Sequence, residues 1–248
     1  AWPAERRSFV YGVSTAVSAL GQFLLVPLVA FFIAAFGWQV ALLLVAGLAA
    51  LILPLAIPLQ GQPASDGGSA QSLGAAVREA GSHGGFLLLC GGYFVCGFHV
   101  AFIGSHLPAY LADGGFEALG GWALSFIGLF NVIGSFASGV LGQKRRKKYL
   151  LAVIYFGRAG AILLFIAMPL SQASVLLFAA FMGLFWLSTV PLTTGLVGQI
   201  FGMRYLASLA GVVFLAHQVG GFLGVWLGGR LYDLTGSYLT VWWIALGL

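Results

Sequence analysis

The stretch "YLLAVIYFGRAGAILLFIAMPL", residues 149–170, decides how the rest of the chain is read. It has the length and the aliphatic, aromatic and glycine content of a helix that crosses a bilayer, and Arg158 stands in its middle. Counted outward from Lys148 at 1.5 Å per residue, the Arg158 Cα lies about 15 Å deep, half of a hydrocarbon core about 30 Å thick. An arginine there costs roughly 2.5–3.5 kcal/mol on insertion scales, so something must occupy its guanidinium. Three occupants are open: an anionic cargo in a central cavity, backbone carbonyls, or an acidic residue in four earlier helices outside this sequence. The first makes Arg158 a candidate substrate-binding residue, because a guanidinium stays charged and holds a carboxylate with two parallel hydrogen bonds.

Working outward, further apolar runs of spanning length fall at 9–35, 39–59, 86–111, 122–142, 173–200 and 205–229, and another begins at Tyr238 and stops at Leu248. The chain is 60% hydrophobic and 7% charged, with a mean hydropathy of +1.02. Soluble domains carry about 25% charged residues, so a lipid bilayer is the expected partner of these runs. The fold class expected is all-α, a polytopic membrane helix bundle. Ala1 is not a start methionine, and the charged "ERR" leads into a run too long for a signal peptide, so none is expected and the chain reads as cut at both ends.

The only polar interval is "QGQPASDGGSAQSLGAAVREAGSHGG", residues 60–85, read as a flexible linker with a short surface helix from Ser72 to Ala80. Arg6, Arg7, Arg78, Lys144 to Lys148 and Arg204 all fall on one side if the runs alternate in direction. The other side receives Asp113, Glu117, Asp233 and only Arg230. The positive-inside rule makes the first side cytoplasmic, and with it the linker. The net charge of +5 is therefore topological, and no nucleic-acid partner is expected from so few, scattered basic residues. Cys90 and Cys96 lie six apart in one run without metal-ligand company, so neither a disulfide nor a metal is expected.

Several polar side chains inside the runs are candidates for chemistry. His99 and His106, seven apart, share one helix face and can carry a proton or hydrogen-bond a neighbouring helix. Asn131 stands at midspan, and His217 and Gln218 leave their helix on diverging faces. Pro191 is expected to break the 173–200 run, with Ser188, Thr189, Thr193 and Thr194 satisfying the freed backbone. Gly220, Gly224 and Gly228 recur every four residues, a stripe that lets two helix backbones approach closely. The six acidic residues all lie outside the spans, and neither a serine nucleophile with its base nor paired intramembrane aspartates is present, so an enzyme is not expected.

Three motifs carry a family resemblance. "ERRSFVYGVSTAVSALGQFLLVPLVAFFIAAFGWQVALLL" resembles a fifth transporter helix and the turn into a sixth, with Gly12 and Gly21 at the spacing of an antiporter-type glycine motif. "SGVLGQKRRKKYLL", residues 138–151, resembles the second copy of a superfamily loop motif. "HQVGGFLGVWLGGRLYDLTGSY", residues 217–238, resembles the eleventh helix of bacterial monocarboxylate and oxalate/formate porters. The chain thus resembles a major facilitator superfamily transporter from its fifth helix onward. The resemblance implies a partial major facilitator fold: residues 1–59 as the last two helices of a first six-helix half, 60–85 as the linker, and 86–248 as the second half with its last helix truncated. It also implies alternating access around a midplane site in the inner membrane, with no cofactor. The cargo implied is a small organic anion of the monocarboxylate kind, and the histidines leave a proton open as its companion. Relatives place an arginine, or an acidic and basic pair, on the eighth helix and a lysine on the eleventh, where this sequence offers Asn131 and His217 or Gln218. A non-transporting membrane sensor or assembly protein is the rival reading.

Overall fold

A computed structural model describes residues 6–57 and 72–248, Arg7 by its backbone alone. Most of the linker read at 60–85 lies outside the described residues. What is described is helical throughout, in ten helices. In chain order they are α1 (Arg7–Ala50), α2 (Ile52–Ala56), α3 (Leu73–Ser82), α4 (Gly84–Asp113), α5 (Leu119–Lys144), α6 (Lys147–Ala167), α7 (Gln172–Phe185), α8 (Thr189–Phe201), α9 (Leu206–Thr235) and α10 (Leu239–Gly247). Among them, six helical stretches are long and apolar enough to cross a membrane. The first, Ser8–Ala56, is 49 residues long and holds two of the apolar runs. Gly37, at φ 79° and ψ 164°, interrupts it where those runs part, a backbone conformation that a residue with a Cβ adopts only under strain.

The surface helix expected from Ser72 is α3, and Ser72 caps it by accepting a hydrogen bond from the Ala75 N–H at 3.3 Å. In the 173–200 run, α7 ends at Phe185 and α8 begins at Thr189. The fault lies at 186–188, a turn before Pro191, which sits at the third residue of α8. A missing N–H is tolerated in a first turn, where amides have no intrahelical acceptor, so Pro191 starts the second segment without being its breaking point.

Large apolar side chains such as Leu43, Phe156 and Phe222 stand on the outer surface, the pattern of helices that face lipid. Inside, Phe165 stacks on Phe178 at 4.2 Å, and Trp242 of α10 meets both edge-on at 5.3 and 5.6 Å. Glycine-lined crossings set the helix spacing, those of α1 with α5 and α9 with α4 among them. Antiparallel α1 and α5 touch from Gly12 against Gly139 to Phe23 against Gly128. A Cβ on Gly12 would come within 2.6 Å of the Gly139 Cα, and one on Gly128 within 2.7 Å of the Phe23 N. α9 crosses α4 with Gly220 and Gly224 on the carbonyls of Phe94 and Phe98, and Gly228 under the His106 ring. The glycine stripe of α9 is thus turned toward α4, and all three glycines are buried.

Candidate functional site: a buried polar cluster at the break between α7 and α8

Breaking a helix inside a membrane exposes carbonyls and amides that neither lipid nor the helix can satisfy. Here side chains from two other helices, α5 and α6, satisfy them. Arg158 of α6 donates from Nε and Nη2 to the Phe185 carbonyl at 3.0 and 2.7 Å, and from Nη2 to the Trp186 carbonyl as well. The same Nη2 lies 3.3 Å from the sulfur of Cys96 on α4. From α5, the Asn131 Oδ1 accepts the Leu187 N–H at 3.0 Å and the Ser135 hydroxyl at 2.9 Å. Ser188, inside the break, donates to the Leu184 carbonyl at 2.6 Å.

Packing makes these reaches possible. A Cβ on Gly134 would fall on the Leu184 carbonyl, and one on Gly183 would sit 2.7 Å from the Ile127 carbonyl. Two glycines thus let α5 lie directly against the end of α7, one turn from Asn131. Gly157 plays the same part on α6, where a Cβ would sit 2.5 Å from the Phe185 ring. The Tyr155 ring lies 5.6 Å from the Arg158 guanidinium carbon, within cation–π range.

Arg158 is fully enclosed, at 0% exposure, and its partners are the backbone carbonyls left open among the three occupants named above. The physical fit is good. α7 ends at Phe185, and the last carbonyls of a helix carry about half a negative charge. An enclosed cation meets that partial charge in a region with no carboxylate nearby in the described spans. One nitrogen, Nη1, has no partner, and neither do Asn131 Nδ2, His99 Nδ1 and Trp242 Nε1.

The remaining candidates are placed around this cluster. His99, 3% exposed, pairs through Nε2 with the Ala245 carbonyl of α10 at 2.7 Å. A carbonyl only accepts, so Nε2 carries the proton and Nδ1 presents a lone pair. His106 pairs through Nε2 with the Val225 carbonyl of α9 at 2.9 Å, so the two histidines of one face serve different helices. His217 is half-buried, pairs through Nδ1 with the Gln218 Oε1 at 3.1 Å, and its ring interacts with Cys96. Gln218 is exposed. Arg158 and Asn131 therefore meet at the break, and Arg158 and His217 at Cys96, while His99 turns to α10 and Gln218 turns outward. Sequence reasoning missed Cys96, which also meets Thr189 Oγ1 at 3.5 Å. Its partners are 62 and 93 positions away, and nothing in its own run points to them.

The family model described as Major Facilitator Superfamily matches residues 1–225. The chain belongs to the Major Facilitator Superfamily. Such proteins cross the membrane several times, as the apolar helices require. Among curated relatives, the uncharacterized MFS-type transporter YcxA of Bacillus subtilis is 32% identical over 155 residues, covering 60% of this chain and 38% of that protein. Monocarboxylate transporter 12-B of Danio rerio is 24% identical over 97% of this chain and 58% of its own length. Monocarboxylate transporter 13 of Bos taurus is 28% identical over 95% of this chain and 56% of its own. The chain spans about half the length of the curated relatives it matches.

Proposed function

We propose that this protein is a secondary transporter that moves a small organic anion of the monocarboxylate kind across the cytoplasmic membrane by alternating access. The observation that carries a solute path is Gln218. Its amide is exposed twelve residues into α9, about 18 Å along the helix. A polar side chain at that depth is costly against hydrocarbon, which favours a face turned toward water or the rest of the transporter. Gln218 is the cargo-facing residue in this reading, and His217 holds its amide oxygen from the α4 side. Arg158 and Asn131 act behind them by holding the α7–α8 break, and His99 ties α4 to α10. An anion is favoured because the acidic residues of the described spans, Asp113 and Asp233, stand in the last turns of α4 and α9 and leave the span interiors without one, and because two relatives are named monocarboxylate transporters. Residues 1–59 then close a first half, 60–85 link it to the second, and 86–248 form that second half up to its last helix.

Counterflow in proteoliposomes of the full-length protein, run against a panel of small carboxylates, tests the reading. Exchange of at least one monocarboxylate is expected, with Gln218→Leu lowering uptake at least tenfold at unchanged yield. A folded preparation that exchanges cations or neutral solutes but no carboxylate would overturn the anion. Orientation is checked separately. A cysteine placed at position 146 should react with an impermeant maleimide only in inverted vesicles, and reaction in intact cells would reverse the topology.

A further inference from the structure

A second polar feature lies away from the break, at the basic end of the helices. A cavity of about 90 Å³ is lined by Ser8 and Tyr11 of α1, Lys147 of α6, and Thr194, Gly195 and Gln199 of α8, among others. That is room for about three waters, or for one small oxyanion. Lys147 enters it because α8 has glycine at position 195. A Cβ there would lie 2.9 Å from the Lys147 Cε and 3.4 Å from the Ser8 Oγ. Lys147 is thus half-buried over Gly195, whereas its neighbour Lys148 stays exposed and lies 5.0 Å over the Tyr149 ring. Ser8 is 5% exposed. Among the described residues, the lining supplies an ammonium, three hydroxyls and an amide, and no carboxylate. Its chemical complement is an anion that accepts several hydrogen bonds.

We propose that this cavity is an oxyanion site that takes the carboxylate of the cargo at the cytoplasmic end of its path. The proposal rests on the organic-anion reading above. Position supports it: the cavity joins α1 to α6 and α8 beside the Gly12–Gly139 crossing, where the two proposed halves touch, so parting that crossing uncovers it to the cytoplasm. Lys147 is there a charged anchor on the way, separate from the cargo-facing Gln218 on α9.

The test is peptide-resolved acylation of Lys147, with Lys148 as internal reference, in the purified full-length protein in zwitterionic vesicles. Acetate is expected to slow Lys147 labelling at least threefold relative to Lys148, and chloride at equal ionic strength to leave the ratio unchanged. Gly195→Ala, whose Cβ displaces the lysine stem, should remove the protection. In transport, Lys147→Gln should raise the apparent KM on the cytoplasmic side about tenfold and leave the outer side unchanged, with Lys147→Arg closer to the parent. Equal ratios in acetate and chloride would overturn the site. Protection by inorganic phosphate alone, or by vesicles of anionic lipid without acetate, would overturn the cargo assignment in favour of a cytosolic phosphate or a headgroup. Protection by acetate in a protein that exchanges no carboxylate would leave the site standing and remove the transport reading instead.

Discussion

Replacing Arg158 by methionine is expected to lower the thermal midpoint of the detergent-purified protein by roughly 6–12 °C. The variant keeps most of the side-chain volume but leaves the Phe185 and Trp186 carbonyls without a donor. Each buried carbonyl so orphaned costs about 1–3 kcal/mol, and hydrogen bonds from a charged donor contribute about 1.5–3 kcal/mol each. A loss of about 3 kcal/mol follows, which for a chain of this size corresponds to a few degrees per kcal/mol. Removing a buried charge can repay part of such a loss in a soluble protein, because the charge regains no water on folding. That offset is small here, since the unfolded helices also stay in the membrane and the arginine is costly in both states. Arg158→Lys should fall between the two, because an ammonium keeps the charge but lacks the planar fork that grips Phe185 through Nε and Nη2 together. Midpoints for wild type, Lys and Met in that descending order support the clamp. Unchanged stability with lost cargo affinity would instead make Arg158 a direct anion ligand.

The spans were legible because a bilayer demands long apolar helices and leaves few alternatives. The gap between the runs 9–35 and 39–59 is where Gly37 turns, and Ser72 is the cap of α3. The occupant of Arg158 was legible only as one of three. Choosing among them needs the register of α6 against α7 and α8, which depends on Gly157 admitting the Phe185 ring and cannot be counted along one helix. The break itself was drawn to Pro191 because proline is its visible mark. Its position was set by acceptors and donors on other helices, Asn131 for the Leu187 amide and Arg158 for the carbonyls before it. His99 and His106 show the same limit: their shared face follows from a seven-residue spacing, their separate destinations at Ala245 and Val225 do not.

Gly224→Leu should prevent accumulation of folded protein, whereas Gly221→Ala should be close to silent. The two positions lie three apart on α9 but meet different surroundings. A Cβ at Gly224 would stand 2.5 Å from the Phe98 carbonyl oxygen and 3.2 Å from its carbon, atoms of the α4 backbone that cannot rotate aside. At Gly221 the nearest atom is the Ala101 Cβ at 3.4 Å, an ordinary contact. Accommodating leucine at 224 requires α9 and α4 to separate, and with them the neighbouring contact of Gly220 on the Phe94 carbonyl. Helices in a membrane gain nothing from hiding apolar surface from one another, so close backbone approach is a large part of what holds this pair together. The separation would also carry His217 away from Cys96, loosening the cluster at the break from a second side. Fluorescence-detected size-exclusion chromatography of the two variants decides the matter. A loss of the monodisperse peak for Gly224→Leu alone fits a packed crossing, and equal peaks would mean that the stripe of α9 does not bear on α4 in the membrane.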